Sequence, residues 1–196
     1  MKVFFTASQR GKKYFGEDYK KIYDYLAKFG YDHVDPMIME VTEKEFYKKL
    51  DEKGYDQHHW LYNNFLAQVK KASIIIFESS LQSMTIGYMI DKALELGKPV
   101  IILYKKDHLP YFLAGIKDDN LQLVEYTEKN LDLKLKKALE QAKQMVTTRF
   151  NFFISKSMLV YLNETSKELH ITKSTFIRNL INDHKKSHLV KSEKNI

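Results

Sequence analysis

Cysteine is absent from the 196 residues, which excludes a disulfide scaffold, an iron–sulfur site and thiolate chemistry, and suits a reducing compartment. Any metal would need histidine and carboxylate ligands. His58 and His59 are adjacent, so on a helix they diverge by about 100° and chelate poorly together. No metal and no cofactor is expected. Long apolar runs are missing as well. The longest, Ile74 to Phe77 and Pro99 to Tyr104, fall far short of the roughly 20 residues that a membrane helix needs. No signal-peptide pattern stands at the amino terminus. The expectation is a soluble, cytoplasmic protein with no membrane partner. What is present is enough apolar material for a core, 44% hydrophobic and 13% aromatic, which excludes disorder throughout.

The formal charge of +7 is unevenly spread. From Arg149 to Ile196 there are nine Lys or Arg against four acids, a net of +5, and the first 148 residues carry the remaining +2. A locally basic small module is compatible with a polyanionic partner. The same excess also fits a solvated face.

Along residues 1–148, short β-type runs alternate with helical ones, the pattern of a parallel sheet covered by helices. Strands are predicted at Lys2 to Thr6, Ser73 to Phe77, Val100 to Tyr104 and Leu121 to Tyr126, with a weaker extended stretch from His33 to Met39 broken by Pro36. Helices are predicted at Asp18 to Phe29, Thr42 to Lys71, Ile86 to Leu96 and Glu128 to Val146. Thr42 and Glu45 form a capping box for the second, and Gly54 interrupts it. Five strands in βα order give an α/β fold with a doubly wound five-stranded parallel sheet of Rossmann or flavodoxin type. At Arg149 the rhythm changes. Arg149 to Ser155 alternates with period two, placing Phe150, Phe152 and Ile154 on one apolar face. Helices at Ser157 to Leu169 and Lys173 to Lys186 follow. The expected organisation is a domain over 1–148, a small module over 149–186 and a flexible tail over 187–196.

In doubly wound sheets, ligands sit beyond the carboxyl ends of the strands, where helix N-termini present free amides. Three segments of this chain should meet there: Thr6-Ala-Ser-Gln-Arg-Gly-Lys12 after the first strand, Phe77-Glu-Ser-Ser80 ending the central strand, and Gln82-Ser-Met-Thr-Ile-Gly87 leading into the next helix. Arg10 with Ser8 and Ser83 can hold a phosphate or carboxylate. Polar loop residues with no ligand would look the same.

These residues resemble the nucleoside 2-deoxyribosyltransferase family and its relatives that hydrolyse deoxynucleoside monophosphates. The resemblance rests on Phe5-Thr-Ala-Ser-Gln-Arg-Gly11, on Ala72-Ser-Ile-Ile-Ile-Phe-Glu-Ser79, and on Ser83 through Gly87 and Tyr88 to Ala93 and Gly97-Lys-Pro-Val100, as an ordered set. It implies that Ser8, Arg10, Gly11 and Ser83 cradle the 5′ end of a nucleoside or nucleotide 5′-monophosphate, with Gly87 as a further ligand-binding residue. It also implies a glutamate nucleophile directly after Gly87 and Tyr88, attacking the anomeric carbon in retaining glycoside chemistry. Met89 stands there instead. A thioether forms no glycosyl ester and steadies no oxocarbenium ion. Relatives also place an aspartate in the preceding helix, where this chain has Tyr62-Asn-Asn-Phe-Leu66. Asp91 points roughly 200° away from Met89 around a helix, a poor replacement. Glu78 is the acid left near the expected mouth, able to bind a ribose hydroxyl, to act as a general base, or only to cap a nearby amide.

Residues Arg149 to Lys186 resemble a ribbon-helix-helix module, most clearly in His170-Ile-Thr-Lys-Ser-Thr-Phe-Ile-Arg-Asn-Leu-Ile181. The resemblance implies an intertwined homodimer whose two-stranded ribbon enters the DNA major groove, with Arg149 and Asn151 toward base edges and Thr172, Lys173 and Ser174 toward phosphate. Phe153 on the same face suits only a thymine methyl, and Thr172 reads equally as an ordinary N-cap. DNA binding and dimerisation alone both remain open. Taken together, the expected function is nucleotide binding on a deoxyribosyltransferase fold, impaired in transferase chemistry and dimerised, or assembled further, through its tail. The alternative is an active transferase or N-glycosidase that uses Glu78 or an unplaced acid.

Overall fold

Four consecutive bulky apolar residues, Ile74 to Phe77, cannot alternate between core and solvent, so they need a strand covered on both faces. In the computed structural model, which describes residues 1–146 and 152–193, they form β3 (Ile74–Glu78), with every residue buried. The partners are β1 (Lys2–Ala7), β2 (Asp32–His33), β4 (Val100–Lys105) and β5 (Leu121–Tyr126). All pairings are parallel, in the order β2-β1-β3-β4-β5. Helices α1 (Lys12–Lys28) and α6 (Leu131–Met145) cover one face, where Ile22, Leu26, Leu135 and Leu139 pack on Phe5, Ile74 and Ile76. Helices α3 (Glu43–Lys71) and α4 (Met84–Glu95) cover the other, where Phe65, Val69, Ile86 and Ile90 pack on Phe4, Ile75, Phe77 and Ile102. This is the doubly wound α/β sheet.

The chain departs from the expected elements in identifiable places. Helix α1 starts at Lys12 rather than Asp18, because a 3₁₀ turn, Gln9–Gly11, runs straight into it with Gly11 already helical. The stretch from His33 to Met39 gives only the two-residue β2. Asp35 then accepts a hydrogen bond from the Met37 N–H (2.8 Å), and a short helix α2 (Met37–Glu40) follows Pro36. A second short helix, α5 (Tyr111–Ala114), has no periodicity long enough to read. The α3 capping box forms as expected between Thr42 and Glu45. Gly54 has φ +54° and ψ −136°, a conformation closed to side-chain-bearing residues, and it breaks the helix into two arms.

Residues Arg149–Ile196 form a separate unit from Met1–Thr148. Of the strand expected over Arg149 to Ser155, Arg149, Phe150 and Asn151 lie outside the described residues, and 152–155 are irregular. Ser155 then caps α7 (Lys156–Glu168) through the Met158 N–H, and α8 (Lys173–Glu193) follows. The tail expected over 187–196 is helical as far as Glu193, since no glycine or proline stops it. Over residues 152–181 of this unit only Leu162 and Ser166 are buried. Met158, Tyr161 and Leu180 stay exposed around an apolar groove that Phe152 and Phe176 also line.

Candidate functional site

In this strand order the chain leaves β1 toward β2 on one side and leaves β3 toward β4 on the other, so the loops beyond the two strands part and open a crevice. A cavity of about 310 Å³ lies there, on the α3 and α4 face of the sheet. Ser8 and Arg10 reach it from β1, and Ser83 and Met89 from α4. Both serines stand at the N-cap of a helical turn, and neither hydroxyl caps its own turn. They remain available to a ligand in front of the α4 N-terminus, whose first amides have no partner within the helix. The Arg10 guanidinium rests 5.6 Å from the centre of the Tyr47 ring. Both arms of α3 contribute walls, Tyr47 and Leu50 from the first and Tyr62 and Asn64 from the second. The Gly54 corner therefore wraps α3 over the opening. Tyr62 and Tyr88 form a tilted, exposed pair there, with ring centres 6.4 Å apart.

Three expected site residues lie elsewhere. Gly11 does not line the cavity. Its missing side chain is required by Tyr19, whose hydroxyl would lie 2.0 Å from a Cβ at that position. Gly87 sits within α4, has open space where a Cβ would go, and does not line the cavity either. Glu78 is the larger correction. Strand alternation turns Ile75 and Phe77 toward the cavity face and Glu78 toward the other, where its Oε1 accepts from the Tyr126 hydroxyl (3.1 Å), from the Ser80 N–H (3.3 Å) and from the Ser80 hydroxyl. It is fully buried and cannot touch a ligand in the crevice.

Burial pushes the Glu78 carboxyl up to about 7, against the pull of the Ser80 and Tyr126 hydrogen bonds. The Tyr126 and Tyr19 phenols are raised by burial and by the Glu78 charge. Glu78 Oε2 and the Tyr19 hydroxyl are both buried on this face, and a hydrogen bond from Tyr19 to Glu78 is among the causes that raise the phenol.

Asp35 went unnoticed in the sequence. It is the one carboxylate among the described residues that line the cavity, it is buried, and it accepts from Asn64 Nδ2 (3.1 Å) across to α3. The readable signal was its position just past a strand, ahead of a proline, at the carboxyl end of the sheet.

In the C-terminal unit Thr172 accepts from the Thr175 N–H (3.1 Å), the N-cap alternative, and Lys173 Nζ donates to Asn163 Oδ1 (2.9 Å). Ser174 is exposed. Arg149 and Asn151 lie outside the described residues. Among the described residues no cluster of three or more potential metal ligands occurs, and no helix is long and apolar enough to cross a membrane.

The chain is 25% identical over 143 residues to a 5-hydroxymethyl-dUMP N-hydrolase of Mus musculus, spanning 70% of this chain and 79% of the relative. It is 28% identical over 135 residues to a Thermofilum pendens protein provisionally named 2′-deoxynucleoside 5′-phosphate N-hydrolase 1, spanning 65% of this chain and 87% of that one. A solved Clostridium botulinum CMP N-glycosidase, BcmB, superposes with a TM-score of 0.44 at 16% identity, covering 71% of this chain and 99% of the other. No protein-family model matches the chain. Both sequence relatives are named as nucleotide N-hydrolases, which agrees at low identity with the resemblance drawn from the residues.

Glu78 fixes the sign of a pH dependence. Its carboxyl stands near 7 in the folded chain and near 4.5 when exposed, so between those values the folded chain holds the extra proton. Stability therefore falls as pH rises across that window and is flat above it, by a total on the order of 3 kcal/mol. Urea unfolding at a series of pH values should show this slope in the wild type and lose it in Glu78→Gln. Parallel profiles for the two proteins would contradict the assignment.

Proposed function

We propose that the first unit binds a nucleoside 5′-monophosphate in the crevice between β1 and β3 and is impaired in glycosidic-bond cleavage. The observation that carries this reading is the convergence of Ser8, Arg10, Ser83 and Met89 on one cavity. Two free hydroxyls, a guanidinium and a helix N-terminus suit a phosphate. Membership of the nucleoside 2-deoxyribosyltransferase family belongs to the same proposal, supported by the ordered motifs and by the named relatives. In that family's chemistry Met89 takes the place of the attacking carboxylate. Among the described residues that line the cavity there is no glutamate in exchange, because Glu78 lies across the sheet.

The second unit, on this reading, is a ribbon-helix-helix module that dimerises the chain, with DNA as the partner its charge suits and dimerisation alone as the alternative. Support comes from its net charge of +5 and from the exposed apolar residues that one copy leaves uncovered. Two copies would bury the groove beside Phe152, Tyr161 and Leu180, and would set two α8 N-termini side by side toward phosphates.

Catalysis is tested by chromatography of base release from a panel of deoxynucleosides and their 5′-monophosphates. Release is expected at background, since covalent catalysis supplies powers of ten that a methionine does not. Met89→Glu is expected to raise it measurably. Turnover by the wild type at an ordinary enzyme's rate would overturn the impaired reading.

The tail is tested by light scattering and fluorescence anisotropy. The full chain should be a dimer or larger, and removal of residues 149–196 should reduce the assembly. Binding to duplex DNA should weaken steeply with salt, and Lys173→Ala should lower affinity by a similar factor for every sequence. A monomeric full chain would refute the dimer, and DNA affinity that survives the truncation would refute the placement.

A further inference from the structure

Asp35 is a buried carboxylate whose structural duties use only part of its bonding capacity. Its Oδ1 accepts from the Met37 N–H (2.8 Å) and its Oδ2 from Asn64 Nδ2 (3.1 Å). Among the described residues no lysine, arginine or histidine forms an ion pair with it. A carboxylate takes about four hydrogen bonds, so two acceptor positions remain on a charge that burial makes costly to leave unmatched. Asn64 is held in turn by Gln68 Nε2, which donates to its Oδ1 (2.9 Å). It keeps a second N–H. The two side chains thus place a free acceptor beside a free donor in the cavity wall.

The position of this pair in the cavity indicates which part of a nucleotide it meets. Asp35 and Asn64 also line an adjoining cavity of about 320 Å³, and none of Ser8, Arg10, Ser83 or Met89 does. The pair therefore stands at the end away from the phosphate-binding residues. With phosphate at Ser8, Arg10 and Ser83, and sugar beside Met89, the base is what extends there.

We propose that Asp35 and Asn64 read the hydrogen-bonding edge of the base, so that the cavity selects bases with an exocyclic amine over their carbonyl counterparts. This rests on the nucleotide-binding reading and adds the substrate class to it. Cytosine and adenine present an amine beside a ring nitrogen, donor next to acceptor, which complements a carboxylate beside a carboxamide N–H. Uracil and hypoxanthine present a carbonyl beside a ring N–H. Held in the same register, that pattern sets the carbonyl oxygen against the carboxylate and the ring N–H against the carboxamide N–H.

The experiment is calorimetry of the full chain with dCMP against dUMP, and with dAMP against dIMP. The wild type should bind the amine-bearing member of each pair about tenfold or more tightly. Asp35→Asn exchanges an acceptor for a donor. Asn64 and Gln68 can reverse their amides to follow it, because Gln68 Oε1 is buried and unpartnered and available to accept. In that variant, checked for folding by circular dichroism, the ratio should fall to near one or invert. Equal wild-type affinity within each pair, while Arg10→Ala still weakens both members, would overturn the base assignment and leave the nucleotide reading intact. A preference unchanged in Asp35→Asn would also overturn it. Absence of binding by any of the four nucleotides would overturn both readings, and the wild-type ratios need no variant to decide.

Discussion

The pairing of β1 with β3, in register from Val3 with Ile74 to Ala7 with Glu78, is the constraint on which the rest of the first unit depends. Neither strand follows the other in the chain. β1 is continued on its far side by β2 and β3 by β4, so the segments leaving the two central strands diverge. The crevice follows from connectivity before any side chain is considered. Ser8 and Arg10 reach it because they directly follow β1. Ser83 and Met89 reach it because α4 returns on that face, with Ile86 and Ile90 holding the helix to Phe77 and Ile102.

The same strand geometry divides the polar residues between two environments. A period of two on β3 sends Phe77 to the cavity face and Glu78 to the opposite one. Glu78 becomes part of a buried cluster with Ser80, Tyr126 and Tyr19, where burial favours the protonated acid over the opposing pull of the hydrogen bonds. The carboxylate that does reach the cavity, Asp35, comes from the end of β2 and is held by Asn64 of α3. On the proposed reading the crevice keeps a shell for phosphate, sugar and base, while the position expected to attack the sugar carries Met89. On that reading, binding and bond cleavage are separable.

Most of the fold was legible because its signals are local. The isoleucine run of β3, the β5 bounds Leu121–Tyr126 and the capping box at Thr42 each follow from spacing and residue type. The start of α1 is not legible in the sequence because a 3₁₀ turn carries no apolar periodicity. The convergence of Ser8, Arg10, Ser83 and Met89 could be anticipated, since each lies just past a strand or on the helix that follows one. Gly11 and Glu78 could not be placed that way. The partner that dictates Gly11 is the Tyr19 hydroxyl across a tertiary contact, and the face of Glu78 depends on strand phase at the last residue of β3. Asp35 escaped notice because its importance comes from Asn64, a residue 29 positions away.

The central claim is that a nucleotide sits in the β1–β3 crevice with its phosphate at the two serines and Arg10. A crystal structure of the full chain grown with a nucleoside 5′-monophosphate tests it most directly. The account requires phosphate density against Ser8, Arg10 and the first turn of α4, the sugar beside Met89, and the base directed toward Asp35 and Asn64. Nucleotide density at another site, with the crevice unoccupied at saturating ligand, would contradict it.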